Sequence, residues 1–264
     1  MENKVIIIEG CDCSGKTTMI KDLKADIKAK DKSIKVLALS LPNIKRFGYA
    51  KIRDVLSGKA AFPPDIVQSL FLANMIETFD KDVNPFLDES DQNHIVLLDR
   101  SIISTILYNA MQGGTVFESI QTYMHRLAMA GVKEIPSDAS IVDLDIINKV
   151  YGHLASSIDY TFFLMPPLQV ILKRAETKAE QTGETNDSKA QVQRMYNSYD
   201  AFYSFISGNM YRTVIDYLES PQGILRPKTS DIQKYIKLSD WNPQISEEDN
   251  HKAYRDAILA KLRL

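Results

Sequence analysis

The sequence predicts an α/β fold: a doubly wound parallel β-sheet of about five strands, with helices on both faces. Three observations carry this. Short, almost wholly apolar runs such as Val5–Glu9 and His94–Asp99 end in charge or turn-forming residues, as buried parallel strands do. Between such runs lie longer segments whose apolar residues recur at helical spacing. The chain of 264 residues, 44% hydrophobic and 25% charged, also supplies enough apolar material for one large core.

Taken in order, Val5–Glu9 is the first strand. A helix follows from Thr17 to about Lys30, with Met19, Ile20, Leu23 and Ile27 on one face and lysines opposite. Ser33–Leu41 is the second strand. Two helices are expected next, over Ile44–Ser57 and Pro64–Leu87, the second opened by proline in its permitted first-turn position. His94–Asp99 is the third strand, followed by a helix from Ser101 to Met111 that stops at Gly113-Gly114. Further helices are expected over Val116–Ala130 and Leu144–Ala155. Tyr160–Leu164 is the fourth strand, punctuated by Pro166-Pro167, and Pro167–Gln181 and Lys189–Ile206 are helical. Tyr211–Tyr217 and Lys234–Leu238 compete for the last strand. Ser246–Leu264 closes as a helix, its early acidic residues matched to the helix dipole. Alternating strands and helices with no repeat or linker make residues 1–264 one domain.

Composition excludes several classes. Thirty-two Lys+Arg against 34 Asp+Glu leave a net charge of −2, which is neither a disordered chain nor one that wraps duplex nucleic acid. No apolar run approaches a membrane span, and the start has no signal-peptide pattern. The two cysteines, Cys11 and Cys13, are too close to staple a fold, so a reduced cytoplasmic setting is expected. Two thiols without nearby histidine do not make a zinc site. They read as small side chains tolerated by a loop, or as thiols activated at a helix N-terminus.

The strongest motif is Gly10-Cys11-Asp12-Cys13-Ser14-Gly15-Lys16-Thr17, which fits GxxxxGK[ST] at every fixed position between a strand and a helix. The glycines let the backbone curl so that successive N–H groups face phosphate oxygens. Lys16 adds charge at the outer phosphates, Thr17 offers a hydroxyl to Mg²⁺, and the helix N-terminus, with Thr18 in its first turn, adds its dipole. ATP or GTP binding follows. A second motif, Asp99-Arg100-Ser101, ends the third strand, where Asp99 can hold Mg²⁺ or its waters and Arg100 can clamp phosphoryl oxygens.

Glu9-Gly10-x-Asp12-x-Ser14-Gly15-Lys16-Thr17-Thr18 resembles the opening of the thymidylate kinases, P-loop nucleoside monophosphate kinases, and the acid inside the loop is unusual elsewhere. Asp99-Arg100-Ser101, with Ser104-Thr105 and Tyr108-Asn109 downstream, resembles their DR[YHF] motif. Leu70-Phe71-Leu72-Ala73-Asn74-Met75 is similar to the family's L-F-x-A-[ND]-R helix, with Met75 in place of the arginine. The resemblance implies a P-loop NTPase fold with a lid over about residues 175–190. It implies transfer of the ATP γ-phosphoryl, with Mg²⁺, to a deoxynucleoside monophosphate, dTMP or a close relative, by a homodimer.

By the same resemblance, Gly10 to Thr18 hold the donor, and Asp12 lies beside the acceptor's sugar. Thr17 and Asp99 hold the metal. Arg46, Phe71, Asn74, Arg100, Ser104, Tyr108 and Asn109 frame the acceptor. Some relatives keep a catalytic arginine where Cys13 stands, so charge is expected from the lid, with Arg174 and Lys178 the candidates and Arg194 a third. Asn109 replaces the usual Gln, and Ser101 the usual aromatic. The runner-up is a deoxynucleoside kinase, but that chemistry wants a carboxylate base after the second strand, where this chain has Ser40-Leu41-Pro42. An inactive nucleotide-binding module is the remaining alternative; no NKxD-type guanine motif supports a GTPase. Residues 113–156 and 208–232 exceed what the kinase core needs.

Overall fold

A computed structural model of the chain describes residues 3–89, 93–111, 158–182, 189–207 and 235–264. Its five strands, β1 (Lys4–Glu9), β2 (Lys35–Ser40), β3 (His94–Asp99), β4 (Tyr160–Leu164) and β5 (Tyr235–Leu238), lie in the order β2-β3-β1-β4-β5. All four pairings are parallel, as the alternation of strands and helices predicts. Tyr235–Leu238 is therefore a core strand; Tyr211–Tyr217 lies outside the described residues.

The helices are α1 (Lys16–Lys30), α2 (Tyr49–Leu56), α3 (Pro64–Thr78), α4 (Asn84–Leu87), α5 (Ile102–Met111), α6 (Leu168–Thr182), α7 (Lys189–Ser207) and α8 (Glu247–Lys261). Period-two alternation sorts the strand residues between the two faces of the sheet. Ile6, Ile8, Ile95 and Leu97 pack with Met19, Leu23 and Ile27 of α1 and Tyr254 and Ile258 of α8. On the opposite face Val5, Ile7, Val96 and Leu98 meet Met75, Phe79 and Val83. Beside them Phe163 meets Ile103, Ile171, Met195 and Tyr199. Both faces are thus covered, which is why β1 and β3 are apolar almost throughout.

Three sequence expectations change in detail. The second strand is shorter than Ser33–Leu41. The expected helix over Ile44–Ser57 begins only at Tyr49, because Gly48 sits at a φ of 72° and residues 43–48 form turns. Those turns are tied to α3 as well as to themselves, the Arg46 N–H donating to the Asn43 carbonyl at 3.1 Å. The fully buried Asn74 side chain donates to the carbonyls of Asn43 (3.0 Å) and Phe47 (2.9 Å) and accepts from the Asn43 N–H (2.7 Å). Pro64–Leu87 does run continuously, but through a π-helical turn at Phe79–Val83 between α3 and α4. At the chain's end, Ser246 caps α8 as its sequence suggests, accepting from the Asp249 N–H at 3.0 Å.

The expected helices at 116–130 and 144–155, and both extra segments at 113–156 and 208–232, lie outside the described residues. So do 183–188 within the expected lid.

Replacing Asn74 by Ala removes three bonds and strands buried backbone groups of the 43–48 turns. The expected cost is about 3 kcal/mol in urea unfolding. A loss below about 0.5 kcal/mol, the scale of an ordinary surface change, would contradict this role.

Candidate active site

The site forms where the carboxyl ends of β1 and β3 lie side by side, with Ile8 opposite Asp99 in register. Gly10 leaves β1 at a φ of 149°, and a Cβ there would stand 2.7 Å from the Leu164 carbonyl oxygen. Gly15 has a φ of 99°, and a Cβ would stand 2.6 Å from Cε1 of His251. Both glycines are required by conformation and by space. Cys13, at a φ of 62°, completes the curl. The loop closes on Lys16, whose Nζ donates to the Cys11 carbonyl at 2.8 Å. Burial, then the neighbouring Arg100 charge, pull the Lys16 ammonium below its usual pKa, against Asp12 and Asp99.

Thr17 and Thr18 open α1 with exposed side chains. The Thr17 hydroxyl donates to Oδ2 of Asp99 at 2.7 Å, so the two expected metal ligands are brought together from different elements. Oδ1 of Asp99 is buried without a hydrogen-bond partner. A hydroxyl and a carboxylate with a spare oxygen form a hard-oxygen set that fits Mg²⁺, an ion that keeps waters and takes few protein ligands. No group of three or more His, Cys, Asp or Glu suited to a metal occurs among the described residues.

Beside this pair lies a second constellation. Arg100, at a φ of 77°, forms an ion pair with Asp12 of the loop. Tyr108 donates its hydroxyl to the other Asp12 oxygen at 2.6 Å, and the Arg100 guanidinium lies over the Tyr108 ring, 5.2 Å from its centre. Burial alone would raise the Asp12 carboxyl, but Arg100 and Lys16 outweigh it and hold it below the ordinary value, with Lys178 adding to the effect. A non-glycine residue in the left-handed region, fixed by a charge partner at a strand end, is strain kept at a functional position. Ser104 also meets Arg100, accepting from Nη1 at 3.2 Å, but it is buried and turned inward.

The remaining expected residues divide. Arg46 is paired with Asp82, which also accepts from the Asn43 side chain at 2.9 Å. Asn74 is committed to the 43–48 turns described above. Phe71 is half-buried on α3, and Met75 lies in the core where the family resemblance suggests an arginine. Asn109 belongs to α5, but its side chain lies outside the described part.

Of the lid cations, Lys178 acts on Asp12, whereas Arg174 grips the loop from behind. Its Nη1 donates to the Ser14 carbonyl at 3.0 Å, and its Nε and Nη2 donate to Glu247 at 3.1 and 2.9 Å. Nη2 also meets Nε2 of His251 at 2.8 Å. Arginine can only donate, so that nitrogen accepts. Burial, then Arg174, lowers the His251 pKa and favours the neutral ring. Arg194 donates along its own helix to the Ala190 carbonyl at 3.4 Å.

No sequence signal singles out His251 or Glu247, which reach the loop from the far end of the chain. The idea of an activated thiol fails at Cys11. Burial pushes it up to about 12, against the pull of Lys16, and it is an inert core thiol.

This geometry can be set against known proteins. Residues 8–129 match the Thymidylate kinase family, a stretch that contains the loop, the Asp99-Arg100 step and Tyr108. Over that stretch the chain is similar to the thymidylate kinases. It is 36% identical over 107 residues to the thymidylate kinase of Nautilia profundicola, covering 39% of this chain and 47% of that one. With the thymidylate kinase of Caldicellulosiruptor saccharolyticus it shares 32% over 120 residues, 46% of this chain and 56% of the relative. A probable thymidylate kinase of Methanocaldococcus jannaschii is 26% identical over 206 residues, covering 78% and 86%. The matches to the first two relatives thus span about half of their length, and the family match lies in the part that builds the loop and the arginine step.

Because Asp12 is held below its ordinary value of 3.8, its ion pair contributes stability above that pH and loses it as pH falls further, through the folded value. The difference in unfolding free energy between wild type and Asp12→Asn should therefore be constant from neutral pH to about 5 and shrink below about 4. A difference that stayed flat down to about pH 2 would contradict the pairing.

Proposed function

We propose that the chain is an ATP-dependent nucleoside monophosphate kinase whose acceptor is a deoxynucleotide, dTMP first and other dNMPs such as dUMP as alternatives. The observation that carries this reading is the adjacency of two anion-handling sets at one sheet edge. Lys16, Thr17 and Asp99 suit a metal-bound donor polyphosphate. Arg100, with Asp12 and Tyr108, suits a phosphorylated acceptor.

In-line phosphoryl transfer asks little covalent chemistry of the protein; it needs alignment and neutralised charge. Lys16 exchanges its Cys11 carbonyl for phosphate oxygens, and the loop N–H groups and the start of α1 add positive potential. Thr17 and Asp99 hold the Mg²⁺, which supplies charge neutralisation at the phosphates. Arg100 presents a planar fork to phosphoryl oxygens while Asp12 fixes its orientation. Tyr108 and Phe71 frame sugar and base. Lys178, already felt by Asp12, adds positive charge from α6.

A deoxynucleoside kinase would need a general base near the acceptor hydroxyl. Two acids lie beside the turns after β2: Asp82, occupied by Arg46 and Asn43, and Glu77, which accepts from the Phe47 N–H at 2.5 Å. An acceptor that already carries phosphate needs no such base.

The proposal extends to assembly and setting. Six of the seven large exposed apolar side chains among the described residues, including Phe47, Phe62 and Ile76, fall between residues 44 and 76. That concentration supports a homodimer joined through this region. No described helix is long and apolar enough to cross a membrane. The near-neutral charge argues against nucleic acid as a partner, and a cytoplasmic setting suits the two reduced cysteines.

The test is ATP turnover against dTMP, dUMP, other dNMPs, ribonucleotides and free deoxynucleosides. Turnover with dTMP is expected. Thymidine phosphorylated while every monophosphate is ignored would overturn the proposal. Lys16→Ala and Arg100→Ala should each lower kcat by at least about 10², the scale of losing one electrostatic stabiliser. Near-normal turnover in Arg100→Ala would remove it from the mechanism.

A further inference from the structure

Glu9 ends β1, is fully buried, and belongs to none of the roles assigned so far. Its carboxylate collects hydroxyls from two elements. Ser101 donates to Oε1 at 2.5 Å, Ser104 donates to Oε2 at 2.7 Å, and Tyr199 donates to Oε2 at 3.0 Å. Tyr199 and Ser104 also lie 2.7 Å apart, oxygen to oxygen. Ser104 in turn accepts from Arg100 Nη1 at 3.2 Å. A buried chain therefore runs from the middle of α7, through Glu9 and Ser104, to the guanidinium.

The ring of Tyr199 needs no such explanation. It is wholly buried among apolar residues and meets Phe163 edge-on at 6.4 Å, a place phenylalanine would fill as well. The hydroxyl is different. A buried phenol oxygen carries a desolvation cost, and here it is spent on two groups that both bear on Arg100. Proton counting shows why. Arg100 only donates, so Ser104 must keep a lone pair facing it and send its own proton elsewhere. Ser104 sends its proton to Glu9, and the single Tyr199 proton goes to the same carboxylate or to the second lone pair of Ser104; either way the Tyr199 hydroxyl holds the Ser104–Glu9 pair that faces Arg100. Ser101, where the family resemblance suggests an aromatic residue, supplies the third hydroxyl and also accepts from the Ile103 N–H at 3.1 Å, fixing the turn that follows Arg100.

We propose that Tyr199, acting through Glu9 and Ser104, is a positioning residue that fixes the Arg100 guanidinium in its phosphate-clamping orientation. In its kinetic part this rests on the kinase reading above. It makes α7, distant in sequence from both motifs, part of the acceptor site. Asp12 holds one side of the guanidinium and the Tyr199 chain the other, which is how a residue at a φ of 77° keeps a single orientation.

The test compares wild type with Tyr199→Phe, which keeps the ring and removes only the hydroxyl, and with Ser104→Ala as a second break in the chain. Two readouts are taken. The first is the KM for dTMP, expected to rise about 5- to 10-fold, the size of one buried hydrogen bond, while the KM for ATP stays within about twofold. The second needs no activity: labelling of Arg100 by phenylglyoxal, read by peptide mass spectrometry, should speed up about fivefold or more in both variants while Arg46 is unchanged. An unchanged Arg100 labelling rate in both variants would overturn the proposal. So would a KM for ATP that rises as much as that for dTMP. If wild type phosphorylates no monophosphate, the kinase reading fails, and the labelling ratio alone decides the role of Tyr199. Should Tyr199→Phe fail to fold, Ser104→Ala is judged by the same two readouts.

Discussion

Everything at the site depends on the parallel pairing of β1 with β3, in which Ile8 stands opposite Asp99. That register ends both strands at one edge, so the phosphate loop leaving β1 and the Asp99-Arg100 step leaving β3 emerge side by side. A slip of one residue would turn the whole buried set of β3 to the opposite face. It would also carry Asp99 away from Thr17 and Arg100 away from Asp12. The apolar packing on the two faces, Ile95 and Leu97 on one and Val96 and Leu98 on the other, enforces the register. The stability of the sheet and the geometry of the chemistry are thus one constraint.

Given that register, charge organises the rest. Lys16 and Arg100 are neighbouring cations in a poorly hydrated place, and burial, then the Arg100 charge, lowers the tendency of Lys16 to stay charged. Asp12 and Asp99 offset this, which gives the acid inside the loop a physical purpose. It neutralises Arg100 and fixes its orientation. Behind the loop, Arg174 grips the Ser14 carbonyl and is held by Glu247 and neutral His251. The last helix thereby braces the loop, and Arg174, expected as a lid charge, supports the loop's backbone.

The sequence reveals the parts of this site that are local and leaves the rest hidden. The phosphate loop is legible because its glycines answer backbone demands at fixed spacing, and Gly10 and Gly15 both meet atoms where a Cβ would be. Asp99-Arg100 is legible because an apolar run ending in charge marks a strand's carboxyl edge. The helix expected from Ile44 is shortened by Asn74, thirty-one residues from Asn43, a contact that no local pattern announces. Asn74 and Arg46, expected as acceptor contacts, have protein partners in this structure, because a buried amide and a half-buried arginine must each find a partner. His251, Glu247 and Tyr199 were hidden for a related reason. Tyr199 reads as core packing and Glu247 as a helix-dipole acid, and only the fold shows where their polar ends and that of His251 point.

The central claim is that donor and acceptor are handled by separate sets, joined only by the β1–β3 register. A Mg²⁺ titration of dTMP phosphorylation in Asp99→Asn and Arg100→Lys tests it most directly. Asp99→Asn should raise the Mg²⁺ concentration needed for half-maximal rate about tenfold or more while leaving the KM for dTMP unchanged, and Arg100→Lys should do the reverse. Parallel shifts of both quantities in both variants would contradict the account.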